Sequence, residues 1–223
     1  MLKVVSLNVG VPRTVVWKGH EVTTGIFKEP VDGPAMLRRL DFDGDRQADL
    51  TVHGGPAKAA YAYPSEHYPL WKIDLPGMIL PWGMFGENLT TEGLDEKSTF
   101  IGDKFKIGKA IVMVTQPRVP CYKLAVKFGR DDILKRMLGT GRSGFYFSVE
   151  HQGAIAAGDT IEKIHEDTSR VSVEDINRLY RDGGENANLL RRAARLEALP
   201  ESWRDYLLEE LKSHERESGT KTT

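Results

Sequence analysis

Ala110-Ile111-Val112-Met113-Val114-Thr115-Gln116-Pro117-Arg118-Val119-Pro120-Cys121-Tyr122-Lys123-Leu124 is the stretch from which the rest of the chain can be read. The run from Ala110 to Val114 is apolar, short and β-branched, which predicts a strand buried on both faces. Pro117 and Pro120 should end its pairing, because proline donates no ladder hydrogen bond. Arg118 and Cys121 are therefore expected on a stiff loop at a strand end, a position where chemistry is often placed. Cys121 is the only cysteine of the 223 residues. Alone it admits two readings, a small apolar filler and a functional thiol.

Outward from this stretch, strand signals predominate. Leu2 to Leu7, Glu21 to Phe27 and Met36 to Leu40 read as strands separated by Gly/Pro turns, among them Asp32-Gly33-Pro34. Phe100 to Gly108 alternates with period two, with Phe105 and Ile107 inward and Lys104 and Lys106 outward. Phe145 to Val149 and Thr160 to Ile164 complete the set. Between them, Lys58 to Pro64 reads as a short helical turn stopped by proline, and Ser65 to Lys72 and Asp131 to Leu138 as short helices. Pro76 to Gly93 is a long glycine- and proline-rich loop around one strand, and such segments often serve function. Asp41 to Asp49 has an acidic spacing but lacks the glycine and closing glutamate of an EF-hand. His53-Gly54-Gly55 pairs a potential hydrogen-bonding side chain with backbone that can approach a ligand closely.

From Ser172 the strands stop. Ser172-Val173-Glu174-Asp175 is a capping box. It opens a helix ended by Gly183-Gly184, and two more helices follow, over Asn186 to Leu199 and from Pro200, the last with Trp203, Tyr206, Leu207 and Leu211 on one face. The fold class predicted is β-rich α+β, with a β domain over residues 1–168, a small three-helix bundle over 169–215 and a disordered tail over 216–223. Arg191, Arg192 and Arg195 are surrounded by acidic residues, so a solvated charged face accounts for them better than a nucleic-acid surface.

Composition narrows the function classes. Hydrophobic residues make up 40% and charged residues 28%, with a net charge of −1, which gives no field to recruit nucleic acid. One cysteine excludes an intramolecular disulfide, a zinc ribbon and an all-cysteine cluster. No secretory leader is legible at the N-terminus and no apolar run reaches a membrane span, so a cytoplasmic protein is expected.

Taken in order, Thr24-Gly25-Ile26-Phe27-Lys28, Gly44-Asp45-Arg46-Gln47-Ala48-Asp49, Val52-His53-Gly54-Gly55, Ala60-Tyr61-Ala62-Tyr63-Pro64, Gly86-Glu87-Asn88-Leu89, Gln116-Pro117-Arg118-Val119-Pro120-Cys121 and Gly158-Asp159 resemble the MOSC family. That domain is named for the C-terminal part of molybdenum-cofactor sulfurase. The terminal helices resemble those of its YiiM-like branch.

The resemblance implies a barrel-like β fold and a molybdopterin-type cofactor, with Cys121 as the metal ligand. It implies reduction of N-hydroxylated compounds such as hydroxylamino-purines to amines; because no cluster or flavin motif is visible in the sequence, the two electrons are expected from a separate reductase. Cofactor-sulfurase relatives use the domain otherwise, so a cofactor or sulfur carrier with Cys121 as a persulfide site is the alternative. Arg118, Lys58 and Arg142 are candidates for an anionic phosphate, helped by backbone amides of Gly54 and Gly55. Asn88 offers a donor and an acceptor to a pterin edge, and His53 and Lys58 are candidate proton donors to a leaving oxygen. The helices are left with three roles: reductase docking, folding support or homodimer formation.

Overall fold

The computed structural model describes residues 1–48, 54–183 and 186–220, with twelve strands, one 3₁₀ turn and six helices among them. In chain order the strands are β1 (Lys3–Val9), β2 (Arg13–Trp17), β3 (His20–Thr24), β4 (Glu29–Pro30), β5 (Ala35–Leu37), β6 (Ala60–Pro64), β7 (Leu89–Glu92), β8 (Lys104–Ile107), β9 (Ala110–Pro117), β10 (Phe145–His151), β11 (Gly153–Ile155) and β12 (Ile161–His165). The helices are α1 (His67–Asp74), α2 (Tyr122–Phe128), α3 (Asp132–Thr140), α4 (Val173–Asp182), α5 (Ala187–Ala193) and α6 (Glu201–Thr220), and the 3₁₀ turn is Pro56–Lys58.

Eight strands form one mixed sheet in the order β12-β8-β9-β10-β6-β7-β1-β4. All its neighbours are antiparallel except β6 and β7, whose parallel pairing needs the crossover through α1 and the loop after it. The expected barrel is not closed. One isolated bridge, Lys3↔Thr160, and a few backbone bonds such as Ile161 N–H to Leu2 C=O at 2.9 Å join the start of β1 to the approach to β12. At the two ends of the sheet, β4 is only two residues long, and β12 pairs with β8 through a register shift between Lys163 and His165.

Strand β6 is where local propensity misleads. The Ala-rich run reads as a helical turn, yet all five residues are buried in the middle of the sheet. Ala60 and Ala62 enter the main core, whereas Tyr61 and Tyr63 enter a second, aromatic core with Trp71, Phe85 and Phe128. A strand covered on both faces shows no apolar/polar alternation, so periodicity cannot reveal it. The 3₁₀ turn takes only Pro56–Lys58. Strand β9 runs to Pro117, its last paired residue.

The main core is shared by the sheet and the terminal helices: Val112, Val114 and Phe147 belong to the same buried cluster as Ile176, Leu190 and Leu207. The capping box at Ser172 is formed in full, with Asp175 N–H bonded to Ser172 Oγ at 3.0 Å and Ser172 N–H to Asp175 at 3.1 Å. Helix α6 continues to Thr220, into the segment where the sequence suggests a loose tail.

Candidate active site

Strand register sets a row of side chains across the sheet. Gln116 of β9 lies opposite Tyr146 of β10, and Tyr146 opposite Tyr61 of β6. Asn88 extends the row, its N–H bonded to Tyr61 C=O at 2.9 Å. Along this row lies a cavity of about 580 Å³, lined also by residues of α4 and α6. Cys121 lines it, half-buried, as the residue that starts α2 with extended backbone. Strand β9 ends at Pro117, as the sequence suggests, and the short Pro117–Cys121 connection leads into α2, a helix not expected from the sequence.

Four cations line the cavity: Lys28, Lys58, Arg118 and Lys123. Among the described residues its wall contains no aspartate or glutamate. Lys58 closes the 3₁₀ turn; burial lowers its pKa below the ordinary lysine range, and the nearby Cys121 opposes that shift. Arg118 is buried beside Tyr61, its guanidinium 5.2 Å from that ring's centroid. Burial penalises that charge, but Tyr61, Tyr146 and Cys121 outweigh the penalty and raise its pKa. The same burial pushes the Tyr61 and Tyr146 hydroxyls upward, so both stay neutral.

The supports of these groups come from distant parts of the chain. Arg118 N–H donates to Gly144 C=O at 3.2 Å, and Gly144 N–H to Glu96 at 2.7 Å, which also holds His67 at 2.8 Å. Thr115 Oγ1 and Gln116 Nε2 donate to Ala57 C=O at 2.6 and 3.4 Å, fixing the turn that carries Lys58. Gln116 Oε1 in turn accepts from the Trp203 indole at 2.7 Å, tying α6 to the site.

Of the residues singled out from sequence, Cys121, Lys58, Arg118, Asn88 and Gly54 meet at this cavity. The Asn88 amide is already engaged: Oδ1 accepts from Tyr61 N–H at 3.1 Å and Nδ2 donates to Asp45 at 3.0 Å and Asn8 C=O at 3.3 Å. Gly55, next to Gly54, leads into the 3₁₀ turn with φ 87° and is not part of the wall. Arg142 is elsewhere, bonded to Asp74 at 2.6 Å and stacked over Trp71. His53 lies outside the described residues.

Sequence reasoning missed the buried pair Lys28–Asp45, whose side chains are 9% and 2% exposed. Lys28 stands on the cavity wall while Asp45 binds it from behind, with Gly10 N–H at 2.9 Å and Asn88. Gly25, adjoining Lys28's loop, sits where a Cβ would lie 2.3 Å from Arg46 C=O, so only glycine lets the two segments close. The motif Gly44-Asp45 marks the position, but the partner is legible only in three dimensions.

Fold and cavity together define an α+β protein whose single thiol stands in a cationic pocket with, among the described residues, no carboxylate. The comparisons give that class its family. The chain belongs to the MOSC family: the MOSC domain model matches residues 49–162 and a YiiM-like 3-alpha helix domain matches 171–214. An uncharacterised protein YflK of Bacillus subtilis is 43% identical over 90% of both chains. YiiM of Escherichia coli is 42% identical over 67% of this chain and 66% of its own length. A protein of Gibberella moniliformis named a reductase is 34% identical over 80% of this chain, which spans 32% of that relative. The crystal structure of YiiM from Geobacillus stearothermophilus superposes with a TM-score of 0.80 at 35% identity, covering 95% of this chain and all (100%) of that one. MOSC domains are associated with molybdenum-cofactor binding. Among the described residues no helix is long and apolar enough to cross a membrane.

Proposed function

We propose that this chain is a molybdenum-cofactor oxidoreductase that reduces N-hydroxylated compounds, of the hydroxylamino-purine type, to amines. The observation that carries the reading is Cys121 on the wall of a cavity with four cations and, among the described residues, no carboxylate. A thiolate is a soft donor suited to a metal that brings soft ligands of its own. Among the described residues no group of three or more His, Cys, Asp or Glu could hold a bare ion. The donor set therefore fits a pre-ligated, anionic metal cofactor with one protein ligand. The reductase-named relative supports an oxidoreductase.

In this reading the net reaction is R–NHOH plus two electrons and two protons giving R–NH₂ and water, the electrons arriving from a separate reductase. When bound, the cofactor would supply the two-electron chemistry. The chain's own residues bind, orient and protonate. Arg118 and Lys123 meet the cofactor's negative charge, and the same charges favour the Cys121 thiolate. Lys58 delivers a proton to the departing oxygen, and its lowered pKa brings it nearer to neutrality, where a general acid works best. Asn88 positions Tyr61 and Asp45 instead of reading a ligand edge. The reaction belongs inside the cell, where reductases supply electrons, and the division of the chain at residue 168 separates a cofactor-binding unit from the helices.

The test is protein from a molybdenum-replete host, wild type against Cys121→Ser, assayed for metal content and hydroxylamino-purine reduction with an artificial electron donor. Wild type should carry molybdenum and turn over; Cys121→Ser should lose the metal and more rate than the roughly 10–100-fold that loss of an outer-shell support costs. Equal rates would refute the role of the cysteine, and persulfide on Cys121 without molybdenum would instead make the chain a sulfur carrier.

A further inference from the structure

The cavity has a second wall that the chemistry above does not use. Tyr180 of α4 and Trp203 and Tyr206 of α6 line it, facing the Cys121 loop. Their rings form a closed triangle, with centroids 5.6, 5.7 and 6.2 Å apart. Trp203 is the fixed corner: it is buried, and its indole is spent on Gln116. The other two are not sealed in. Tyr180 is 39% exposed and Tyr206 half-buried, each beside the cavity. Val119 and Pro120, next to Cys121, add apolar surface on the facing rim, with Val119 38% exposed.

A triangle that only packed α4 against α6 would hide its rings, as Leu179 and Leu207 on the same helices are hidden. Open aromatic faces at a cavity reward one kind of ligand above others. A flat heteroaromatic ring gains offset or edge-on contact with each tyrosine beyond its buried area, while a short aliphatic group gains area alone. Tyrosine also supplies this surface at little entropic cost.

We propose that Tyr180 and Tyr206 are specificity-determining residues, which hold the flat heteroaromatic ring of the substrate while its N–OH group faces Cys121 and Lys58. The three-helix unit is thus the substrate-selecting wall of the site. This inference rests on the N-hydroxy reductase reading for the identity of the substrate, but not for the ring binding itself.

The experiment compares wild type, Tyr206→Phe, Tyr180→Leu and the double variant Tyr180→Leu/Tyr206→Leu, all full-length and purified with molybdenum. Each is assayed on a hydroxylamino-purine and on N-methylhydroxylamine. The ratio of kcat/KM for the purine to that for the small substrate should fall about tenfold or more in the double variant, through KM, as expected for lost ring stacking. Tyr206→Phe keeps the ring and should keep the ratio. Should the double variant fail to fold, Tyr180→Leu at the more exposed corner should still lower the ratio about threefold or more. An unchanged ratio, or an equal loss on both substrates, overturns the proposal. So does a loss of molybdenum in step with the loss of rate, since the rings would then be holding the cofactor. If wild type reduces neither compound, the reductase reading fails and calorimetry with adenine decides the rest. Binding weakened about tenfold by the double variant sustains the ring-binding wall; binding that is absent, or unaffected by it, sinks it.

Discussion

Lys127 shows how one buried charge ties the cavity's wall to pH. Its ammonium donates to Ile26 C=O at 2.9 Å and Gly83 C=O at 2.5 Å, holding the loop that carries Lys28. Burial lowers its pKa to about 8, against the weaker pull of Glu87. In the unfolded chain the same group titrates near the ordinary lysine value of about 10.5. Between pH 8 and that value the unfolded state binds more protons than the folded one, so this lysine makes stability rise with pH. Below pH 8 both states are charged, and the cost of burying the charge is felt in full. Lys127→Met removes the slope and leaves two carbonyls without their donor. The variant's stability deficit, measured by urea unfolding at pH 8, 9 and 10, should therefore grow with pH by at most about 1.4 kcal/mol per unit. A deficit that does not vary with pH would show that Lys127 is charged in the fold throughout. Residues of this kind were the least legible in the sequence. Cys121, Arg118 and Lys58 stand out because an arginine bracketed by prolines just before a single cysteine, and a lysine after paired glycines, are unusual patterns. Lys28, Asp45 and Lys127 look like ordinary surface charges until partners 17 and 44 positions away arrive.

At the scale of elements, the same distinction separates what patterning reveals from what it hides. The capping box at Ser172, the alternation of β8 and the apolar run of β9 are local signals, and the structure has each in place. Strand β6 and helix α2 carry no such signal. β6 is covered on both faces, and α2 turns Lys123 inward and is only seven residues long. Helices α4 and α6 were legible as amphipathic, but Tyr180, Trp203 and Tyr206 looked like part of an apolar face. Nothing in a 3.6-residue period tells a core face from a cavity wall. Between elements, the joint that matters most is Asp45, which binds the loop before residue 48 to Gly10 after β1, to Asn88 before β7 and to Lys28. Asp45→Ala leaves the Lys28 charge buried without its counterion. Unfolding in urea should show a loss of about 3–5 kcal/mol, the range for breaking one side of a buried pair. A loss below about 1 kcal/mol would mean that water reaches Lys28 and that the pair is a surface one.

At the scale of the whole molecule, the sequence suggests two bodies and a barrel, and the packing argues for something more continuous. The sheet stays open, with one isolated bridge and a few backbone bonds between the start of β1 and the approach to β12. The helices place Ile176, Leu179, Leu190 and Leu207 in the same buried cluster as Val112, Val114 and Phe147. Burying one such side chain contributes roughly 1.5–3 kcal/mol, so the shared core is worth more than the whole net stability of a typical domain. From this shared core we infer that the division at residue 168 does not mark two independently stable units. Full-length protein should unfold in one step, with tryptophan fluorescence and far-ultraviolet dichroism giving the same midpoint. A chain cut after residue 168 loses the helical half of that cluster, the Trp203 bond to Gln116 and one wall of the cavity. It should melt at least about 10 °C lower, given that 1 kcal/mol moves a domain of this size by about 2–4 °C. Two separated transitions in the intact chain, or a truncated chain melting where the intact one does, would show that the helices are an appendage. In that case they could select a substrate only by resting on a site already complete without them.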